Sequence, residues 1–248
     1  MNNVLIITAT IQPPADAVVL TRIDPTLRRQ DYVTAFEFYL SMLGTAYDRI
    51  IFADNSDQNV DDLIAMSKAD PRVSVISFDG MNNPGDYGRA YGEMKLIGSV
   101  YERFPELLSH PGRVWKVTGR YILRNIDKVM QSGRATDELI VNCRDYPQIW
   151  ADLHCFGWTA SGWTNFVSTV GDRLREDIIR LSPEILFRVI IDNLIMDNYL
   201  TATRRFKSTP IIEGVRGFNN QPYLEDARGR QKLMLRQFAR RFTPWIWI

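Results

Sequence analysis

Residues 115–121, with the sequence WKVTGRY, place two cations in the pattern of a buried strand. Alternate residues of a strand share a face, so Lys116, Thr118 and Arg120 are expected to point the same way. Two cations are costly to bury on one face unless anions accompany them. The pattern therefore predicts either ion pairs with carboxylates of a neighbouring strand or a diphosphate ligand, and Gly119 would let that ligand approach the backbone closely.

Other short apolar runs also end in polar residues. Ligands of open α/β sheets bind beyond the carboxyl ends of the strands, where a carboxylate suits a ribose hydroxyl or a uracil N–H and cations suit phosphates. The run DNSD at residues 54–57 is also ordinary turn chemistry, so a turn without a ligand stays open as an alternative. The candidate nucleotide-binding residues are Thr8, Thr10, Asp54, Asn55, Ser56, Gly88, Arg89, Lys116, Thr118, Gly119, Arg120 and Tyr121.

The glycine-rich loop GDYGR at residues 85–89 matches neither of the common phosphate-binding motifs. It lacks the Gly-Lys-Ser/Thr of a Walker loop, and a dinucleotide fingerprint would place its glycines directly after the first strand. These differences disfavour ATPase, GTPase and dehydrogenase activities.

The elements that position these residues alternate between strand and helix. Buried parallel strands read as continuous apolar runs, and amphipathic helices connect them. Short connections then favour an α/β domain with a mostly parallel central sheet and helices on both faces, covering residues 1–226. The predicted strands are 4–10, 49–53, 73–78, 113–122, 138–142, 152–159 and 209–215, and the predicted helices are 31–44, with Asp31 as N-cap, 60–69, 88–104, 126–132, 162–170 and 182–199.

Composition limits the class of protein. The chain has 248 residues, 45% hydrophobic and 24% charged, which is typical of a globular fold. A net charge of +1 disfavours a general nucleic-acid binder. Two cysteines and two histidines are too few for a disulfide framework or a histidine-rich metal site. Without a spanning apolar run or a signal-peptide pattern, a soluble cytoplasmic protein is expected.

Four segments together resemble a known family. They are the opening strand at 4–10, IIFADNS at 50–56, GRAYGE at 88–93 and, above all, KVTGRY at 116–121. With these segments the chain resembles bacterial glycosyltransferases of the GT-A type that act in lipopolysaccharide and capsule assembly. The resemblance covers about residues 3 to 215 and implies a single GT-A-like, Rossmann-like domain.

The resemblance implies roles on the donor side. An acidic residue ending the second strand holds the nucleoside in this family, and Asp54 matches it. The family's Asp-any-Asp motif, which binds Mn²⁺ or Mg²⁺, is replaced here by residues 118–121, so no metal ligand is assigned. We expect Lys116 and Arg120 to neutralise the leaving diphosphate instead, and donor binding to survive chelation of divalent metals.

On the acceptor side the resemblance implies a catalytic base near a late helix. Glu184 matches this position, with helix-dipole stabilisation as its alternative role, and Asp152 is the second catalytic candidate. Asp145 and His154 rank next. A cluster of tryptophans at 150, 158 and 163 suits either an acceptor platform or core packing.

The implied function is transfer of a sugar from a nucleotide-sugar donor to a surface glycan acceptor, commonly lipid-linked. One alternative is a nucleotidyltransferase, which needs metal carboxylates that the sequence does not show as a pair. The other is a non-catalytic nucleotide-sugar-binding subunit of a polysaccharide assembly complex.

The tail at residues 227–248 is basic and aromatic, with six Lys or Arg and no Asp or Glu. Such a composition predicts an amphipathic helix on an anionic membrane surface, which would make the protein peripheral at the inner face of the membrane. Docking of the helix on the core, with Trp245 and Trp247 buried, is the alternative. RNA binding by the tail finds no support elsewhere in the chain.

Overall fold

A seven-stranded sheet forms the centre of the protein. The computed structural model describes residues 2–14, 20–178, 181–217, 219–223, 227–243 and 245–248. The sheet order is β3-β2-β1-β4-β7-β6-β8, and only β7 runs against its neighbours. This confirms the predicted α/β fold with a mostly parallel sheet. The strands are β1 Asn3–Ala9, β2 Arg49–Asp54, β3 Val73–Ser77, β4 Arg113–Thr118, β5 Ile122–Leu123, β6 Leu139–Arg144, β7 Trp150–Trp158, β8 Ala202–Thr203 and β9 Ile212–Glu213.

Helices cover both faces of the sheet. Since β1 alternates, Val4 and Ile6 pack in one core with the third and seventh helices, while Leu5 and Ile7 pack in the other with the first. No helix within the described residues is both long and apolar enough to cross a membrane. The helices are α1 Pro25–Ser41, α2 Asp61–Met66, α3 Arg89–Arg103, α4 Ile126–Met130, α5 Ala160–Gly162, α6 Ser168–Arg173, α7 Pro183–Met196 and α8 Ala227–Phe242, with a π-helical turn at Trp163–Val167 between α5 and α6.

The first helix starts earlier than predicted. Asp24 caps α1 by accepting hydrogen bonds from the backbone N–H groups of Thr26 at 2.8 Å and Leu27 at 3.4 Å. Asp31 was the wrong N-cap: it lies inside α1 and pairs with Arg22 at 2.5 Å. The sequence Asp-Pro, with proline at the first helical position, was the missed start signal.

Two predicted strands are shorter than expected. β4 stops at Thr118, where the Tyr121 N–H donates to the Thr118 carbonyl at 3.0 Å and closes a turn. Within 209–215 only Ile212–Glu213 forms a strand, which pairs with β5 outside the main sheet. Both differences move residues that the sequence placed on a straight strand.

A bulge interrupts β7 next to the end of β4. Val141 pairs with Phe156 and Cys143 pairs with Ala151, so Asn142 of β6 alone lies opposite residues 152–155 of β7. Bulges bend a strand and redirect its side chains, and they are frequent beside active sites. The bulge contains two of the acceptor-side candidates, Asp152 and His154.

Candidate active site

A buried lysine lies at the carboxyl end of β4. Lys116 is 0% exposed, and its Nζ contacts Glu93 Oε1 at 2.6 Å, Thr118 Oγ1 at 2.9 Å and the Leu153 carbonyl in the bulge at 2.6 Å. An ammonium has three N–H donors, so all of them are used. Burial lowers the pKa of Lys116, and the charge of Glu93 opposes that effect. In this arrangement Lys116, expected to contact the donor diphosphate, holds α3 and the bulge to the sheet instead.

Glu93 is the carboxylate that the sequence reasoning did not select. It lies one turn into α3, and its Oε1 also accepts hydrogen bonds from Thr8 Oγ1 at 2.7 Å and Thr118 Oγ1 at 3.3 Å. Its side chain keeps 20% exposure, and among the described residues its Oε2 has no hydrogen-bond partner. Glu93 therefore joins β1, β4 and α3, and it leaves one oxygen open at the carboxyl edge. The sequence offered a signal for this residue, since Glu93 ends the motif GRAYGE at residues 88–93.

Arg120 does not share the face of Lys116 and Thr118, so that prediction was wrong for this residue. Because β4 has ended in a turn, the Arg120 guanidinium lies against the Val215 carbonyl, with Nη1 at 3.3 Å, and over the ring of Tyr121 at 5.2 Å. Lys116, in contrast, contacts Glu93 of α3.

Arg120 belongs to a positively charged cluster. It is 7% exposed and forms no ion pair within the described ranges. Arg28 of α1 is also buried, and it donates to the Thr10 carbonyl and to Tyr32 Oη without a carboxylate partner in the described chain. Burial, assisted by the charge of Arg120, lowers the pKa of Arg28. The carboxylate whose charge acts on both, Asp31, forms its ion pair with Arg22. Two buried guanidinium groups without an ion pair of their own favour binding of an anion such as a phosphate.

Asp54, expected to hold the nucleoside, is engaged by the protein. It is 0% exposed, and its carboxylate accepts hydrogen bonds from the Ile11 N–H at 2.8 Å, from Ser56 Oγ at 2.8 Å and from Ser77 Oγ at 2.9 Å. It thus ties together the ends of β1, β2 and β3. Thr10 Oγ1 donates to Asn55 Oδ1 at 2.7 Å beside it.

The two predicted glycines serve close contacts inside the protein. A Cβ on Gly119 would lie 2.7 Å from Ile7 Cγ2 and 2.9 Å from the Thr8 carbonyl, so β1 fills the space that we expected a ligand to use. Gly88 has φ 85°, and a Cβ there would overlap the carboxylate of Glu176. With the exposed Arg89 it begins α3, one turn before Glu93.

A second group of charged residues adjoins Lys116. Glu184, in the first turn of α7, accepts a short hydrogen bond from Ser182 Oγ and acts electrostatically on both Lys116 and Arg144. Asp152 accepts a hydrogen bond from Asn142 Nδ2 at 2.7 Å. The two carboxylates proposed for catalysis therefore lie in the same part of the molecule.

Burial dominates the titration of this second group. It lowers the pKa of His154, a shift that Asp152 opposes and that the charges of Lys116 and Arg144 reinforce. Burial likewise lowers the pKa of Arg144, and Asp152 again opposes the change. Burial thus favours the neutral form of the His154 imidazole, whose pKa the charge of Arg144 lowers further.

The remaining acceptor-side candidates have structural partners. Asp145 forms an ion pair with Arg188 at 2.9 Å. Trp158 is buried and donates to Tyr101 Oη at 2.7 Å, and Trp163 stacks on the Tyr101 ring at 3.5 Å. These two tryptophans pack in the core, whereas Trp150 lies under the guanidinium of Arg144 at 4.8 Å.

The described residues do not fit a metal centre made by protein alone. No three of their His, Cys, Asp or Glu side chains lie together as such a centre would need. Asp54 is saturated, and Glu93 Oε2 is one carboxylate oxygen near β4 without a hydrogen-bond partner among the described residues. We assign no metal ligand.

Comparison with known proteins shows the fold. No family model and no curated protein matches the chain. The inositol-1-phosphate CTP transferase of T. maritima matches with a TM-score of 0.51 and 11% identity over 94% of this chain and 95% of that one. At this identity the match shows a shared α/β fold.

Two further solved structures match with TM-scores below 0.5. A provisionally assigned nucleotide-diphospho-sugar transferase of Desulfovibrio desulfuricans G20 matches with a TM-score of 0.45 and 9% identity over 82% of this chain and 80% of that one. The CTP:phosphocholine cytidylyltransferase of Streptococcus pneumoniae matches with a TM-score of 0.39 and 13% identity over 94% and 96%.

Proposed function

We propose that the protein is a transferase that uses a nucleotide, whose phosphates bind at Arg120 beyond the carboxyl end of β4. One observation carries the proposal: Arg120 is buried beside Arg28, and neither has a carboxylate partner in the described chain. A diphosphate or triphosphate supplies the missing negative charge and matches the planar fork of a guanidinium. The carboxyl edge of an open sheet is also where such ligands bind.

Nucleotidyl transfer is the reaction that we place first, on the strength of the fold shared with the CTP transferase. A phosphate oxygen of the second substrate attacks the α-phosphorus of a nucleoside triphosphate and forms a new P–O bond. The bond between the α-phosphorus and its bridging oxygen to the β-phosphate breaks, and pyrophosphate leaves. In this proposal Arg120 stabilises the negative charge that gathers on that leaving group.

A thermal-shift screen tests the proposal. Nucleoside triphosphates, nucleoside diphosphates and nucleotide sugars are compared, each with Mg²⁺, with Mn²⁺ and with EDTA, because a ligand that binds the folded state raises the melting temperature by mass action. A nucleotide that stabilises the protein is then incubated with sugar phosphates. Release of pyrophosphate identifies nucleotidyl transfer, and a protein that no nucleotide stabilises would contradict the proposal.

Glycosyl transfer is the second candidate, with a nucleotide sugar as donor and a glycan, free or lipid-linked, as acceptor. It is favoured by the position of Glu184, which acts electrostatically on Lys116 at the end of β4. An acceptor hydroxyl that attacks an anomeric carbon must lose its proton, and a carboxylate is a suitable base. A phosphate nucleophile is already ionised near neutral pH and needs no such base.

Glu184→Gln therefore separates the two reactions. For nucleotidyl transfer we expect a rate within about threefold of the wild type, because no proton has to be removed from the nucleophile. For glycosyl transfer the loss should be about 10²- to 10⁴-fold. The initial rate of pyrophosphate release measures nucleotidyl transfer, and the initial rate of nucleoside diphosphate release measures glycosyl transfer. Glu106→Gln is the matched control, since Glu106 also follows a proline in a first turn and lies in a surface ion pair with Arg49.

The tail forms the helix α8, whose polar side faces the core and whose apolar side is exposed. Ala239 is buried, and Arg240 on the same side donates to the Phe206 carbonyl and to Asn142 Oδ1. Trp247 packs against the core beyond the helix. The opposite side of α8 is apolar and exposed, with Met234 at 67%, Leu235 at 62%, Phe238 at 60% and Phe242 at 56% exposure, and Trp245 follows at 73%. We call these five residues the outer face of α8.

We propose that the outer face binds an anionic membrane, which would place the protein peripherally at the inner side of the membrane. Contiguous exposed apolar residues mark interaction surfaces, and the neighbouring cations Lys232 and Arg241 add attraction to anionic lipids. Both the aromatic and the basic components of an interfacial helix are thus present.

The double substitution of Phe238 and Phe242 by Gln should weaken vesicle binding at least tenfold. Each phenylalanine contributes roughly 1.5–3 kcal/mol when it leaves water. Flotation with vesicles of phosphatidylglycerol and phosphatidylcholine measures the effect. Tyr199→Gln, which alters an equally exposed aromatic at 71% elsewhere, is the control. Equal flotation of the double variant and the wild type would leave the outer face without a membrane role.

A further inference from the structure

Two buried nitrogen atoms in the second charged group lack hydrogen-bond partners. They are Nε of Arg144 and Nε2 of His154, and no donor or acceptor in the described part of the chain reaches them. A buried polar atom left unsatisfied costs about 1–3 kcal/mol, so such atoms usually have a partner that the chain itself does not provide. The two atoms lie on adjacent antiparallel strands, at the end of β6 and in the bulge of β7.

Several side-chain contacts order the residues around these two atoms. Arg144 lies over the ring of Trp150, which fixes one face of its guanidinium. The bulge is tied to β6 by the hydrogen bond between Asp152 and Asn142, and Asn142 in turn holds Arg240 of α8 at 3.0 Å. The helix α8 therefore lies beside the two unsatisfied nitrogen atoms, held there by its own arginine.

Positive charge prevails around these atoms. Arg236 is half-buried one turn before Arg240, on the same side of α8, and its charge acts on the pKa of Arg144, His154 and Arg240. Neither Arg144 nor Arg236 forms an ion pair with any residue that the structure describes. The carboxylates of Asp152 and Glu184 oppose the lowering of the Arg144 pKa, but the three arginines Arg144, Arg236 and Arg240 outnumber them.

We propose that Arg144, Arg236 and His154 bind a phosphomonoester group carried by the second substrate. The proposal rests on the proposed function and adds a site to it, distinct from the one at Arg120. A phosphate dianion offers acceptors to both guanidinium groups and accepts a hydrogen bond from the imidazole N–H. Tyr223 lies between the two sites. Its ring centroid is 5.2 Å from that of Tyr121, and burial raises the pKa of its hydroxyl, an effect to which the charge of Asp152 adds.

Isothermal titration calorimetry of the full chain with glucose 1-phosphate tests the site. Arg144→Met and Arg236→Ala should each raise the dissociation constant roughly 10- to 100-fold, the loss expected for a hydrogen bond to a charged group. Arg173→Ala, at an exposed arginine in the last turn of α6, should leave it unchanged. Melting temperatures close to the wild type show that the variants fold.

A competition experiment decides whether the phosphomonoester belongs to a soluble substrate or to a lipid headgroup. Vesicles containing phosphatidic acid compete with glucose 1-phosphate if the headgroup of a lipid is the natural ligand. Phosphatidylglycerol vesicles of the same charge density, whose headgroup is a phosphodiester, serve as the control. Equal affinity of Arg236→Ala and wild type, or equal weakening by Arg173→Ala, would overturn the site. Nucleotide titrations of the same variants separate the two proposals. The dissociation constant of the nucleotide should stay at the wild-type value in each variant. A wild-type protein that binds no nucleotide contradicts only the proposed function.

Discussion

Glu93→Gln is expected to lower the free energy of unfolding by about 3–5 kcal/mol, the usual effect of removing one partner from a buried ion pair. Lys116 is 0% exposed, and Glu93 is its carboxylate partner at 2.6 Å. Glutamine keeps the shape of the side chain and removes the charge, so a lysine ammonium would remain buried without compensation. Urea unfolding followed by circular dichroism measures the change.

A double variant and a surface control make the result specific. Glu93→Gln combined with Lys116→Met should recover most of the lost stability, because the isolated charge is gone. Glu213→Gln removes a surface ion pair with Arg124 and should cost no more than about 1 kcal/mol. If Glu93→Gln behaves like Glu213→Gln, Lys116 is not charged in the folded protein.

The pH dependence of the single variant follows from the direction of the lysine shift. Burial lowers the pKa of Lys116 in the folded state. The unfolded chain therefore binds this proton more tightly, and stability rises with pH up to about 10.5, the pKa of an unperturbed lysine. The rise should be steeper in Glu93→Gln than in the wild type, because the opposing charge of Glu93 is missing.

Arg120→Ala is expected to weaken nucleotide binding by about 1.5–3 kcal/mol, a factor of roughly 10 to 150 in the dissociation constant. Among the described cations buried at the carboxyl edge, Arg120 has the fewest and longest hydrogen bonds, and the one that its Nη1 donates to the Val215 carbonyl is 3.3 Å long. Calorimetry with the nucleotide found in the thermal-shift screen provides the measurement. Arg120→Lys should fall between alanine and the wild type, since it keeps the charge and loses the planar fork.

A control for Arg120 lies four residues further along the chain. Arg124 is 47% exposed and pairs with Glu213 on the surface, so Arg124→Ala should leave nucleotide affinity unchanged. Wild-type affinity in a folded Arg120→Ala protein would remove Arg120 from the site and, with it, the observation on which the proposed function rests.

The sheet could be predicted from the sequence because the apolar composition of each strand by itself indicates that the strand is buried. β1 and β2 are short apolar runs at regular spacing, and a run of this kind with short connections favours a parallel α/β sheet whatever its neighbours are. The partner of Lys116 could not be predicted in the same way. Strand periodicity defines the face of a residue but not the element opposite, and the carboxylate came from helix α3 instead of a neighbouring strand.

The positions of residues that follow the end of a strand were harder to predict. The shared face of Lys116 and Arg120 fails because a turn at Thr118 redirects the chain, and no residue type in KVTGRY requires that turn. The proposed phosphomonoester site depends on the β7 bulge, which contains His154 and faces the strand that ends in Arg144. A bulge arises from the register between two strands, and one strand's sequence does not contain it.

The carboxylate of Asp54 has a further consequence for the loops that it joins. By holding the chain after β1, the turn after β2 and the end of β3 with one side chain, it makes three segments a single rigid body. The conformational entropy of these segments is then lost during folding and not again when a ligand arrives. A molecule that enters at this edge meets walls already in place, so its association should proceed at the speed of encounter rather than wait for loops to assemble.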